Sequence, residues 1–88
     1  MRGRYYQIIT VCPTEAEARR IARKLVELRL VACAQVGGPV QSNYWWEGKV
    51  EEATEWVCIL KAPASNYVRI ESEIKRMHSY RAVSYTHL

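Results

Sequence analysis

Tyr5 to Cys12 (YYQIITVC) is dense in β-branched and aromatic residues, and its Ile8-Ile9 centre predicts a strand buried on both faces. Pro13 stops it. Thr14-Glu15-Ala16-Glu17 then fits a capping box, in which the Thr14 hydroxyl accepts from the Glu17 amide and the Glu17 carboxylate reaches back to the Thr14 amide. A helix is predicted from there to Arg29. Ala18, Ile21, Ala22, Leu25 and Leu28 recur at spacings of three and four, while Arg19, Arg20, Arg23, Lys24 and Glu27 fall off that stripe. Such a helix is ~24 Å long at ~1.5 Å per residue, about the length of the strands it must cover.

Leu30 to Val36 (LVACAQV) is a second apolar run, broken by Gly37-Gly38-Pro39, after which Val40 to Glu47 (VQSNYWWE) resumes as a strand. A bend or bulge is expected at the glycines. Gly48-Lys49 is the expected tip of a long hairpin whose other arm runs from Val50 through Glu55 to Lys61. Pro63 ends that arm, Ser65 is a candidate cap, and Tyr67, Ile70, Ile74 and Met77 form a second helical stripe beside Arg69, Glu71, Glu73, Lys75 and Arg76. The order strand, helix, strand, strand, helix is that of an α+β ferredoxin-like (βαββαβ) sandwich lacking only its last strand. A right-handed crossover sets strands one and three side by side at the centre, and a fourth strand would cover the free edge of strand one. The tail from Ser79 to Leu88 is too short and too polar to read as that strand, so one domain over residues 1–80 and an atypical or truncated tail over 81–88 are expected.

Composition narrows the function. With 88 residues there is room for one domain and none for a second catalytic lobe, and so short a chain buries only somewhat more than roughly 60% of its unfolded surface. Association is a natural source of further stability. The net charge is +4, but every acidic residue is Glu and the two signs alternate along the chain, which is unlike a nucleic-acid arm. No segment approaches the ~18 apolar residues of a membrane span and the start lacks the apolar core of a signal peptide, so a cytoplasmic location is expected. Cys12, Cys33 and Cys58 are odd in number, widely spaced and without a Cys-x-x-Cys pair, and they read as reduced thiols.

Several segments resemble the CutA divalent-ion (copper) tolerance proteins. They are Thr10-Val11-Cys12-Pro13 at the strand-to-helix turn, Leu30-Val31-Ala32-Cys33-Ala34 after the helix, and Tyr44-Trp45-Trp46-Glu47-Gly48-Lys49 at the hairpin. Glu55 and Lys61 around the third strand fit as well, as does His78-Ser79-Tyr80 where the family has His-Pro-Tyr. The resemblance implies a cytosolic ferredoxin-like homotrimer, similar in architecture to the PII signalling proteins, that binds copper and other divalent ions and has no established catalytic activity. It departs after Tyr80, where a Glu-Val-Pro-Glu-like segment, a last strand and a C-terminal helix would follow; Arg81-Ala82-Val83-Ser84 lacks those acids.

Thiolate and thioether sulfur favour Cu(I) and imidazole accepts copper in either oxidation state, so the candidate metal ligands are Cys12, His78, Met77 and Cys33. Cys12 ends a strand and His78 follows a helix, positions that can share one end of the domain. Cys58, inside an apolar strand, reads instead as a small buried hydrophobe. Tyr44, Trp45, Trp46 and Trp56 are the expected trimer interface, because a monomer would leave them as an exposed aromatic patch. Adjacent tryptophans beside Lys49 also resemble a base-stacking platform, but the sequence pattern of an RNA-recognition module is absent, and no nucleic-acid or membrane partner is expected. An enzyme is disfavoured: there is no Asp, no Gly-rich phosphate loop and no Gly-x-Ser-x-Gly turn, and a Cys12 and His78 nucleophile pair lacks an orienting Asn or Asp. The alternative is a PII-like trimeric regulator that takes a small anion or a partner protein in intersubunit clefts, with Arg4, Arg19, Arg20, Arg23 and Lys49 as anion contacts.

Overall fold

The computed structural model describes residues 4–77 and 85–87. The chain folds as an α+β unit in the order β1 (Tyr5–Cys12), α1 (Glu15–Glu27), β2 (Cys33–Trp46), β3 (Lys49–Pro63), a 3-10 turn (Ala64–Asn66), α2 (Tyr67–Met77) and β4 (Tyr85–His87). The strands form one antiparallel sheet in the order β2-β3-β1-β4. β1 and β3 are therefore the central pair, as the crossover argument expects. The sequence reading of an absent last strand is corrected in part: Tyr85–His87 pair with Ile8–Thr10 of β1. Three residues cover only the middle of that edge.

Helix α1 begins where the side-chain chemistry directs it, with the Glu17 amide donating to Thr14 Oγ1 at 3.2 Å. Its end is a Schellman turn. Leu30 N–H donates to the Leu25 carbonyl at 3.1 Å and Arg29 N–H to the Val26 carbonyl at 2.9 Å, with Arg29 in the left-handed region at φ 60°. The accompanying apolar contact is supplied by Leu25 and Leu30, both buried, so the run read as the start of a strand first closes the helix onto the core. Ser65 does not cap α2; it lies within the 3-10 turn, where the Asn66 side chain donates to the Leu30 carbonyl at 2.9 Å.

Alternation sorts the central strands into two faces. Ile8, Thr10 and Cys12 of β1 and Cys58, Leu60 and Ala62 of β3 are buried, and they face Ile21, Leu25, Ile70 and Ile74 of the helices in one core. Tyr6 meets Tyr67 of α2 edge to face on the same side, with ring centroids 5.7 Å apart. The opposite face carries Ile9, Val11, Val57 and Ile59, which are only half-buried because no helix lies over them. The expectation of a strand buried on both faces is thus met on one side only within a single chain.

β2 and β3 extend well past the body of the sheet. β1 finishes opposite Trp56, so Lys49–Glu55 of β3 has only Val40–Trp46 of β2 as a partner. This ribbon reaches about 23 Å at ~3.3 Å per residue and gives the chain its long axis, with extents of 45 × 23 × 20 Å. Its tip is Glu47-Gly48, one residue earlier than the sequence suggests: both have positive φ, 50° and 78°, the requirement of a two-residue type I′ turn between Trp46 and Lys49. The expected irregularity at the glycines is present as a register shift between Gly37 and Val40.

Gly38 is held at φ 141° with Trp56 against it, and a Cβ there would sit 2.8 Å from Trp56 Cδ1. Gly38→Ala is therefore expected to lower stability by about 1–3 kcal/mol, through backbone strain and displacement of the indole. Urea denaturation at fixed protein concentration measures this, and an unchanged midpoint would contradict the packing.

Candidate functional site

The proposed soft ligands occupy different places. Cys12 closes β1 and is buried, with no exposed surface. It is not the surface thiol that the sequence reading assigned to copper. Its neighbour is Cys58, two residues along β3 from its register partner Trp56, and the two thiols share a hydrogen bond. Cys58 Sγ also donates to the Ala18 carbonyl of α1 at 3.2 Å. The shared bond, followed by burial, pushes the Cys12 thiol up from its ordinary value, while the same bond holds Cys58 down against its own burial. Thr10, the register partner of Cys58, adds a buried hydroxyl that has no hydrogen-bond partner among the described residues. Cys58 is the small core residue the sequence suggests; it is also half of a thiol pair that the sequence reading missed. Their joint position becomes visible once the β1–β3 register sets Thr10 opposite Cys58.

Met77 ends α2 half-buried against the core, and its carbonyl accepts from Arg20 at 3.3 Å. Arg20 also acts electrostatically on Cys12, so the ends of β1 and α2 do share one end of the domain. His78 lies outside the described residues. Cys33 is elsewhere. It pairs with Lys61 at the far end of the sheet, five residues along β3 from Trp56, and lies exposed on the face opposite Cys12. Cys12 and Cys33 therefore do not join in one site within a subunit, so Cys33 does not add to a Cys12 site there as the sequence reading allowed. Among the described residues no three His, Cys or Glu side chains are grouped to hold a metal ion.

The aromatic residues also divide. Tyr44, Trp45 and Trp46 stand on the outer ribbon, with Trp45 75% and Trp46 60% exposed, and Val50 opposite Trp45 is 61% exposed. Trp56 does not belong to that patch: it is half-buried against the core of its own chain and beside Gly38.

The cations proposed as anion contacts do not converge. Arg19 pairs with Glu15 at 2.8 Å and Arg23 with Glu27 at 3.0 Å along the exposed side of α1, and Arg20 reaches Met77. Arg4 precedes β1 at one end of the sheet, and Lys49 is beyond the other end, next to the ribbon tip. Arg19 and Arg23 do line a shallow cleft with Ala22, Val26, Ala34 and Val36, between α1 and the edge strand β2.

Comparison with known proteins follows this geometry. The family model described as CutA1 divalent ion tolerance protein matches residues 6–88. The divalent-cation tolerance protein CutA of Archaeoglobus fulgidus is 42% identical over 73 residues, 83% of this chain and 71% of that protein. The CutA of Thermococcus kodakarensis is 36% identical over 73 residues, covering 83% and 69%. Among solved structures, the divalent cation tolerance protein of Thermus thermophilus superposes with a TM-score of 0.93 at 29% identity, covering 97% of this chain and 82% of the other. The A. fulgidus structure, described as a periplasmic CutA, gives a TM-score of 0.91 at 36% identity, covering 97% and 82%.

Burial and the raised Cys12 thiol have a direct chemical consequence. At pH 8 a thiol-specific disulfide reagent is expected to modify Cys33 at least about tenfold faster than Cys12 or Cys58, with all three reacting once the chain is unfolded. Peptide mapping after timed labelling reads the order, and early labelling of Cys12 would contradict the placement.

Proposed function

Since this chain belongs to the CutA1 divalent ion tolerance family, we propose that it is a divalent-cation tolerance protein that binds copper and other divalent ions as a cytoplasmic homotrimer. It acts as a binding protein and carries out no catalysis. Its subunit is a ferredoxin-like domain, and the strand order β2-β3-β1-β4, with the edge strand supplied by residues 85–87, supports that reading. No described helix is long and apolar enough to cross a membrane.

The observation that carries the trimer is the bare ribbon. An isolated two-stranded hairpin is marginally stable in water, yet here the outer ends of β2 and β3 extend together beyond β1 and carry Trp45 and Trp46 of β2 and Val50 of β3 into solvent. A second uncovered surface, Ile9, Val11, Val57 and Ile59, lies on the open face of the sheet. Neighbouring subunits covering both surfaces account for them together.

For the metal, no donor set among the described residues of one subunit closes around an ion. Ligands are then drawn from more than one subunit or from side chains whose free coordination positions are filled by water. Cys33 has the accessible thiol, and Met77 with the adjacent His78 offers thioether and imidazole at the end of α2. Cys12 is the least suited of the four candidates, because it would have to be uncovered and deprotonated first.

Light scattering is expected to report three chains per particle, with Trp46→Ala weakening assembly more than Arg20→Ala. A stable, non-aggregating monomer at micromolar concentration would overturn the trimer. In calorimetric copper titrations, Cys33→Ser and His78→Ala are each expected to weaken binding about tenfold or more, whereas Cys12→Ser leaves the first binding event in place. Unchanged titrations in both of the first two variants would remove the ligand assignment.

A further inference from the structure

The two faces of the ribbon differ in chemistry. Residues paired across an antiparallel ladder share a face, so Trp45 stands with Val50 on one side, while Trp46 with Lys49 and Tyr44 with Glu51 stand on the other. Trp45 and Val50 are both well exposed. Glu52, exposed and paired with Asn43, follows two residues along β3 on that same face, ~7 Å from Val50. An indole and an isopropyl group bordered by a carboxylate thus project together into solvent. The ribbon's charge runs against that of the chain: residues 40–55 hold Glu47, Glu51, Glu52 and Glu55 against Lys49 alone, although the net charge is +4.

A surface of matching chemistry lies on the body of the domain. The cleft between α1 and β2, about 710 Å³, has an apolar floor of Ala22, Val26, Ala34 and Val36 and a basic rim of Arg19 and Arg23. The pairs that these arginines make with Glu15 and Glu27 are exposed, so little holds them in place, and a guanidinium keeps donors to spare after meeting one carboxylate. The ribbon cannot fill the cleft of its own chain, because β2 lines that cleft at Ala34 and Val36 and then runs out of it toward Trp45. A bilayer suits the ribbon poorly, since anionic headgroups repel its glutamates and segments that seek such membranes are basic.

We propose that the Trp45 face of the ribbon seats in the α1–β2 cleft of a second copy of the chain, with Trp45 and Val50 on the apolar floor and Glu52 against Arg19 and Arg23. This rests on the homotrimer reading and adds the two surfaces that meet. Ribbon and cleft are different patches, so the contact is heterologous, and repeating it around a three-fold axis closes a ring of three copies with every ribbon seated. The open face of the sheet remains available for contacts around that axis.

The test places p-benzoylphenylalanine at position 45 in isotopically heavy chains, mixes them with light chains, irradiates the assembled protein and maps the heavy-light peptide pairs, with light scattering on the same sample. The expected crosslinks join position 45 of one chain to residues 19–36 of another. In a second arm, Glu52→Arg and the double variant Arg19→Glu/Arg23→Glu are each expected to weaken assembly about tenfold, and combining all three substitutions restores most of the loss, because the charges exchange places. A three-chain particle whose crosslinks reach only the open sheet face or another ribbon would overturn the seating and leave the trimer standing. A monomer by light scattering would overturn both. Charge reversals that weaken assembly without mutual rescue would overturn the seating, as would Trp45 fluorescence that responds to anionic vesicles and not to self-assembly.

Discussion

The antiparallel register between β1 and β3 is the constraint on which the rest of the molecule depends. Setting Thr10 opposite Cys58 and Ile9 opposite Ile59 sends one set of alternate side chains into the helices and the other to the open face. A one-residue slip of β3 against β1 would turn β3 over, moving Cys58, Leu60 and Ala62 out of the core and Lys61 into it. The same register ends β1 opposite Trp56, and that leaves the outer halves of β2 and β3 as an unsupported ribbon. Core, bare face and projecting arm are thus three results of one pairing.

Much of the fold is legible from local chemistry. Pro13, the Thr14 cap and the stripe from Ala18 to Leu25 define α1, and Gly37-Gly38-Pro39 marks the irregularity in β2. The misplacements arise where longer-range packing decides. Leu30 and Val31 look like the start of a strand but are drawn into the core by the Schellman turn, in which a non-glycine residue, Arg29, takes the left-handed position. The tip falls at Glu47-Gly48 because both central residues of a I′ turn need positive φ, and glutamate carries no sequence signal for that. β4 is polar and short, and its pairing with Ile8–Thr10 rests on backbone hydrogen bonding that composition does not reveal.

The candidate site was less legible, for a physical reason. Residue type indicates what an atom can bind, but face and end of a strand decide which atoms meet. Cys12 and Cys33 are equal as donors in sequence, yet the register puts them on opposite faces and at opposite ends of the sheet. Cys12 and Cys58 are far apart in the chain and become neighbours through the same register. Trp56 likewise separates from Trp45 and Trp46 because it stands where β1 ends and the core begins. Family membership and superposition on solved relatives agree with the fold, and the chain's own geometry narrows which of its described thiols face solvent.

The central claim is that the open sheet face and the ribbon are surfaces made for other copies of the chain. Ile59 tests it most directly, since it sits at the middle of the open face, opposite Ile9 and Gln35, and outside the helical core. Sedimentation velocity of Ile59→Glu, with far-ultraviolet circular dichroism on the same sample, reads assembly and fold together. A folded chain sedimenting as a monomer or a readily dissociating species is the expected result, whereas an assembly of unchanged mass and stability would contradict the account.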